Sequence, residues 1–155
     1  MQTTADLLIV NIGQLVTCTS DGRPKRGNLM ADVGIIPNTA VAVIGGNIAG
    51  FGNSSDVAAA FCADSTIDAQ GRVVTPGFVD PHTHIVFGGD RLDEFELKIK
   101  GADYLEILQN GGGIISTVRE TRRASFERLV DASIDRLNKM LACGTTTAEI
   151  KTGYG

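Results

Sequence analysis

The apolar positions of this chain change period about halfway along it. Up to about residue 72 they come in short alternating or β-branched runs broken by turn residues. "DLLIVN" (6–11) and "GQLVTC" (13–18) read as strands separated by a turn. "AVAVIGGNIAGFG" (40–52) reads as a hairpin about "GGN", and "STIDAQGRVVTPG" (65–77) as a strand, a "QG" turn and a further strand. "SDGRPKRGN" (20–28) is polar and rich in turn formers, which makes it a loop, and "VAAAFC" (57–62) has room for one or two helical turns. No internal repeat or low-complexity tract is present. The pattern predicts a β-rich unit over 1–72.

From residue 73 to 155 strand and helix periods alternate. "VVTPGFVD" is continuously apolar enough for a buried strand, and "ADYLEILQN" (102–110) for a short helix stopped by Gly111, Gly112 and Gly113. "GIISTVRETRR" (113–123) resumes the helical period. Ser125 is an N-cap candidate for a helix over 126–143, in which Phe126, Leu129, Val130, Ile134, Leu137 and Leu141 recur at helical spacing before Gly144. "TTTAEI" (145–150) is β-branched and reads as the next strand. Strand, helices and strand in that order make a βαβ unit with a parallel strand pair. Such a pair leaves an edge open. A closed β/α barrel takes eight units and about 250 residues, so the chain reads as truncated, part of a longer protein.

Composition narrows the class. A chain of 155 residues can bury a core, and its net charge of −4 is spread among interspersed acids and bases, which argues against nucleic acid as a partner. Apolar runs such as "LLIV" (7–10) are too short to cross a bilayer, and the N-terminus lacks the basic start and long apolar stretch of a secretory signal. Cys18, Cys62 and Cys143 stand far apart with no C-x-x-C pair, as reduced thiols of a cytoplasmic protein do. The expectation is a soluble cytoplasmic chain that binds neither membrane nor nucleic acid.

The chemistry concentrates in "GFVDPHTHIVFGGDR" (77–91), which holds the chain's two histidines, His82 and His84. On a helix, residues two apart diverge. On a strand they share a face, with Cα atoms roughly 6.5–7 Å apart, and two imidazoles so placed can converge on one metal ion. Two ligands do not complete a site. By residue type alone an H-x-H can be structural, Arg91 can be a solvated charge, and Tyr154 can be a packing residue. Asp80 shares the histidines' parity and suits either an imidazole-orienting carboxylate or a turn.

The residues "TPGFVDPHTH" resemble the amidohydrolase superfamily of metal-dependent hydrolases, which carry H-x-H at the end of the first barrel strand. "VDPHTHIVFGGDR…EFE", "GGGIISTVRETR" and "GTTTAEIKTGYG" narrow the likeness to a subgroup that opens the ring of imidazolone propionate during histidine breakdown. The likeness runs from about residue 70 to 155 and more loosely through the N-terminus. It implies an α/β protein: the start of a β/α (TIM-like) barrel over 73–155, preceded by the β-rich unit 1–72 as part of a composite β-sandwich. It implies His82 and His84 as ligands of one metal ion, Zn2+ or Fe3+, and Arg91 and Tyr154 as substrate-binding residues. The other ligands, a further substrate histidine and a catalytic glutamate belong to later strands, so no catalytic residue falls within these 155. The expected partner is a small-molecule substrate, with a homodimer as the full-length assembly to test. Two other readings stand beside this one: a different cyclic amidase or deaminase on the same scaffold, and a non-catalytic remnant. Lys151 ends the second strand, whereas the superfamily's metal-bridging lysine belongs to the fourth, so it reads as a structural or substrate-vicinity residue.

Overall fold

The computed structural model describes residues 1–154, and the chain divides into two compact units, Met1–Pro76 and Gly77–Gly155. The first unit is a five-stranded sheet with one helix. In chain order it comprises β1 (Thr3–Val16), a 3-10 turn (Gly27–Ala31), β2 (Ile35–Ile44), β3 (Asn47–Asn53), α1 (Ser54–Ala60), β4 (Phe61–Asp68) and β5 (Val73–Val74). The sheet order is β3-β2-β1-β4, with β5 also on β1. β1 is antiparallel to β2 and parallel to β4 and β5.

The two runs expected as separate strands (6–11 and 13–18) are one strand, β1. What looked like a turn at Asn11 is a bulge, where Asn11 takes φ 54° and the register with β2 slips between Ile9 and Ile12. The "QG" turn also differs from expectation. Gln70 and Gly71 do turn the chain, at φ 52° and 74°. β4 and β5 nonetheless both pair with β1 in parallel, so the turn is a detour between two stretches of one ladder.

The detour fits the bulge. Ala69 N–H donates to Val10 O at 2.8 Å, Gly71 N–H to Asn11 O at 2.7 Å, and Gly13 N–H to Arg72 O at 3.0 Å. Asp68 Oδ1 accepts from Gln70 N at 2.8 Å and from Asn11 Nδ2 at 3.0 Å. Those donors hold the Asp68 carboxyl below the usual aspartate range, the Gln70 amide contributing most. Gly13 is required here, because a Cβ on it would lie 2.1 Å from Gly71 O.

Alternation along β2 splits the core into two clusters. Ala40 and Ala42 pack with Ala5, Leu8 and Val57 of α1, while Val41 packs with Ile12, Leu15 and Ala69. The "VAAAFC" segment (57–62) resolves into the second half of α1 and the start of β4. Asn53 caps α1, its side chain accepting from Ser55 N at 3.0 Å.

The second unit comprises β6 (Phe78–Thr83), α2 (Leu92–Ile99), α3 (Tyr104–Gln109), α4 (Ile114–Arg123), α5 (Phe126–Ala142) and β7 (Thr145–Ile150). β6 and β7 form a parallel pair. Ser125 caps α5, accepting from Arg128 N at 3.3 Å, and Asp103 caps α3 by accepting from Glu106 N at 2.8 Å. The helix α2 was not foreseen. Its apolar residues Leu92, Phe95 and Ile99 are helically spaced, but no side-chain cap marks its start. The β6 strand was expected to be buried and is not: Phe78 is 55% exposed and Val79 65%. A sheet of two strands lacks the neighbours that would cover both its faces. The apolar row of α5 is open as well, from Phe126 to Leu141. Among the described residues no helix is long and apolar enough to cross a membrane, and Cys18, Cys62 and Cys143 are unpaired.

Two outcomes follow for the first unit. Gly13→Ala is expected to destabilise it by about 1–3 kcal/mol through the clash with Gly71, read as a lowered urea midpoint; an unchanged midpoint would mean the strands can part there without cost. Because the folded Asp68 pKa lies below its unfolded value, its contribution is present above the ordinary aspartate range and fades as the pH falls through the folded value. Asp68→Asn should therefore flatten the acid limb of the stability–pH curve, and a limb of unchanged slope would exclude Asp68 as its source.

Candidate metal centre

The site is built where β6 and β7 end side by side. Thr83, between the two histidines, is held from the β7 side three times over. Its side-chain hydroxyl donates to Glu149 O at 2.8 Å, its carbonyl accepts from Lys151 N at 2.8 Å, and it pairs with Ile150 in the ladder. Fixing the middle residue of H-T-H leaves the residues on either side projecting together. Asp80 Oδ1 accepts the backbone N–H of His82 at 3.2 Å, so its carboxylate serves a local turn in the backbone and not an imidazole.

The two imidazoles meet. His82 Nε2 and His84 Nε2 are 3.2 Å apart, and the ring centroids 5.2 Å. The second nitrogen of His84, Nδ1, lies 3.1 Å from the carbonyl of Lys151. A carbonyl can only accept, so Nδ1 carries the hydrogen, and in the neutral ring Nε2 then presents a lone pair. This is the arrangement by which an outer partner orients a ligating histidine. Two ligands at tetrahedral positions around zinc, with bonds of about 2.0–2.1 Å, stand about 3.3–3.4 Å apart, close to what the pair shows. Without an ion the same distance serves an N–H···N bond from His82. The donor set thus fits a metal but does not complete one: among the described residues no group of three or more His, Cys, Asp or Glu side chains is gathered for an ion.

Tyr154 joins the histidines. Its ring stands edge-on to His84 at 5.6 Å between centroids, and edge-on to Phe87 at 5.9 Å on another side. Arg91 lies immediately before α2, with Nη1 3.8 Å from Glu94 Oε2 and its side chain 46% exposed. Glu94 in turn accepts from Gly113 N at 2.7 Å, which ties the start of α2 to the glycine triplet. Lys151 supplies its backbone to Thr83 and His84, while its ammonium pairs with Glu149.

Two residues of this neighbourhood escaped the sequence reading. Phe87 packs on Tyr154, and Arg136 of α5 lays its guanidinium over the Phe87 ring, 3.6 Å from Cζ to centroid. Their residue types carry no motif, and Arg136 reads as one more charge on an amphipathic helix.

Gly153 is as close to the site as any side chain. A Cβ there would lie 2.6 Å from His84 Nδ1, closer than the Lys151 carbonyl at 3.1 Å. Gly153→Ala is therefore expected to displace the ring and release its tautomer. In long-range 1H–15N imidazole spectra the parent chain should show His84 protonated at Nδ1, and the variant a mixture of both forms. Identical spectra would mean that the loop yields instead of the ring.

The comparisons with known proteins agree in kind. Residues 65–106 match the model of an amidohydrolase family. The chain is 51% identical over 150 residues to the imidazolonepropionase of Chloroflexus aggregans, which covers 97% of this chain and 35% of that protein. It is 52% identical over 151 residues to that of Herpetosiphon aurantiacus, and 46% over 150 residues to that of Bacillus velezensis, with the same two coverages. The crystal structure of an adenosine deaminase from Xanthomonas campestris with bound zinc shares the fold, at a TM-score of 0.60 and 20% identity, over 99% of this chain and 30% of that one. The chain spans about a third of the length of the curated relatives it matches. Along nearly all of its own length, this chain is similar to the N-terminal part of imidazolonepropionases.

Proposed function

We propose that this chain is the N-terminal part of an enzyme that hydrolyses the imidazolone ring of 4-imidazolone-5-propanoate to N-formimidoyl-L-glutamate, within histidine degradation. The observation that carries the reading is the meeting of the two Nε2 atoms, 3.2 Å apart, in a chain about half identical to imidazolonepropionases. On this reading β6 and β7 are the first two strands of a β/α barrel and their C-terminal ends form one edge of the active site. The first unit, taken as 1–72, contributes to a composite β-sandwich. The full-length enzyme is cytoplasmic, and a homodimer is the assembly to test.

The ring carbon of a cyclic amide is a poor electrophile and neutral water a poor nucleophile. A single Zn2+ or Fe3+ ion, when bound, lowers the pKa of its water to about 7 and polarises a carbonyl. His82 and His84 would hold it through Nε2, with further ligands from strands beyond residue 155. The carbonyl of Lys151 keeps the His84 hydrogen on Nδ1 and its ligating lone pair free. The substrate's propionate is a carboxylate, and a guanidinium binds carboxylates through paired N–H donors. Arg91 suits that role: its contact with Glu94 is long, at 3.8 Å, with the arginine about half exposed, and a substrate carboxylate can replace it. Tyr154, edge-on to His84, would offer its phenolic hydroxyl to the substrate.

In the full-length protein, His82→Ala should lose bound metal and at least about 100-fold in turnover. Arg91→Ala should raise KM for the propionate substrate roughly 10- to 100-fold, with kcat changed far less, and an analogue lacking the carboxylate should not tell the two proteins apart. Equal losses on both substrates would refute the carboxylate assignment. Full activity of His82→Ala would remove the metal reading altogether. The isolated 155-residue chain, offered Zn2+ or Fe3+, is expected to show no useful loss of imidazolone absorbance, since two histidines hold an ion poorly and the general acid/base, worth about 10²–10⁴-fold, belongs to later strands. Turnover within tenfold of the full-length enzyme would overturn that account.

A further inference from the structure

We infer that Arg136, on α5 and outside the pair of strands, is a positioning residue for the histidine site, acting through Phe87 and Tyr154. The inference rests on the metal reading of His82 and His84 given above.

The connection is continuous in space. One guanidinium nitrogen of Arg136, Nη1, donates to Ile85 O at 2.7 Å and to Phe87 O at 3.0 Å. These carbonyls belong to the segment that leaves His84, beyond the end of β6, where no ladder partner takes them up. Ser133, one turn earlier on α5, gives its hydroxyl hydrogen to Leu129 O at 2.7 Å, with Ile85 O further off at 3.4 Å. The guanidinium plane then covers the Phe87 ring at 3.6 Å. Phe87 stands edge-on to Tyr154, and Tyr154 edge-on to His84. The His84 imidazole therefore rests between two supports: the Lys151 carbonyl at Nδ1 and the Tyr154 ring, whose own place depends on Phe87.

Arg136 is half-buried, and Ile85, whose carbonyl it holds, is 6% exposed. A charge kept in such a position is held by its partners. Arginine suits it better than lysine, because one planar group meets two carbonyls at its edge and an aromatic ring on its face. No salt bridge consumes the charge among the described residues. The guanidinium is spent on backbone and ring.

The test uses the full-length protein and Zn2+ affinity, measured by competition with a chromophoric chelator, beside the thermal midpoint of the metal-free protein. Removing an outer partner of a metal ligand costs about 10–100-fold in affinity. Arg136→Met is expected to lose about tenfold, Arg136→Lys to fall between it and the parent, and Lys139→Met, an exposed charge on the same helix, to match the parent. The metal-free midpoints of all three should stay within a few degrees of the parent. Parent-like Zn2+ binding by Arg136→Met, with His84→Ala losing the ion, overturns the inference and leaves the metal reading standing. Retention of Zn2+ by His84→Ala removes both. An affinity loss that merely follows a fallen midpoint, or that lysine does not moderate, shows a structural residue and overturns the inference too.

Discussion

The bond from His84 Nδ1 to the carbonyl of Lys151, at 3.1 Å, decides what this site can do. It spans 67 positions of sequence and exists only because the chain returns as β7, parallel beside β6. A parallel return needs a long crossover, here filled by four helices, and that return brings residue 151 beside residue 84. Thr83 enforces the meeting, bonded to the β7 side by hydroxyl and carbonyl alike.

The histidine pair was legible in the sequence for a simple physical reason. A strand's period of two makes H-x-H a statement about direction, and the β-branched or apolar residues around it made the strand itself evident. What aims the rings was not legible. The Lys151 carbonyl, like the Ile85 and Phe87 carbonyls that hold Arg136, is a backbone acceptor that every residue possesses, so no residue type signals it. Gly153 was visible only as part of a motif; its reason, the space taken by the His84 ring, belongs to tertiary structure. Helix α2 escaped for a local reason. Arg91 precedes it without a side-chain cap, and "DEFELKI" alternates charge and apolar residues nearly as a strand does.

In the first unit the sequence announced its elements and misled about their pairing. Asn11 to Gly13 and Gln70 to Gly71 both carry turn chemistry, and each suggested a break between strands. They are the two halves of one feature: β1 bulges where the chain beside it detours, and Asp68 accepts from both Asn11 and Gln70 to lock them together. Turn residues report that the backbone leaves the regular ladder. They do not report whether it reverses or rejoins the same partner, because that depends on what lies alongside.

The same distinction between local signal and tertiary cause bears on how the imidazoles share their hydrogens. With Nδ1–H of His84 given to a carbonyl, its Nε2 is a lone pair in every neutral state of the pair. The close approach of the two Nε2 atoms then requires either that His82 donate an N–H across the gap or that a cation sit between them. If the pair holds an ion as proposed, His84 is already set to ligate through Nε2. His82 is the adjustable one, an exposed residue that must move its hydrogen from Nε2 to Nδ1 before it could ligate. On the proposed metal reading, the two residues of a symmetrical-looking motif differ: one has its orientation set by Lys151 and Tyr154, and the other is left to adjust. Disturbances on the β7 side should reach the first, while the second answers only to the ion.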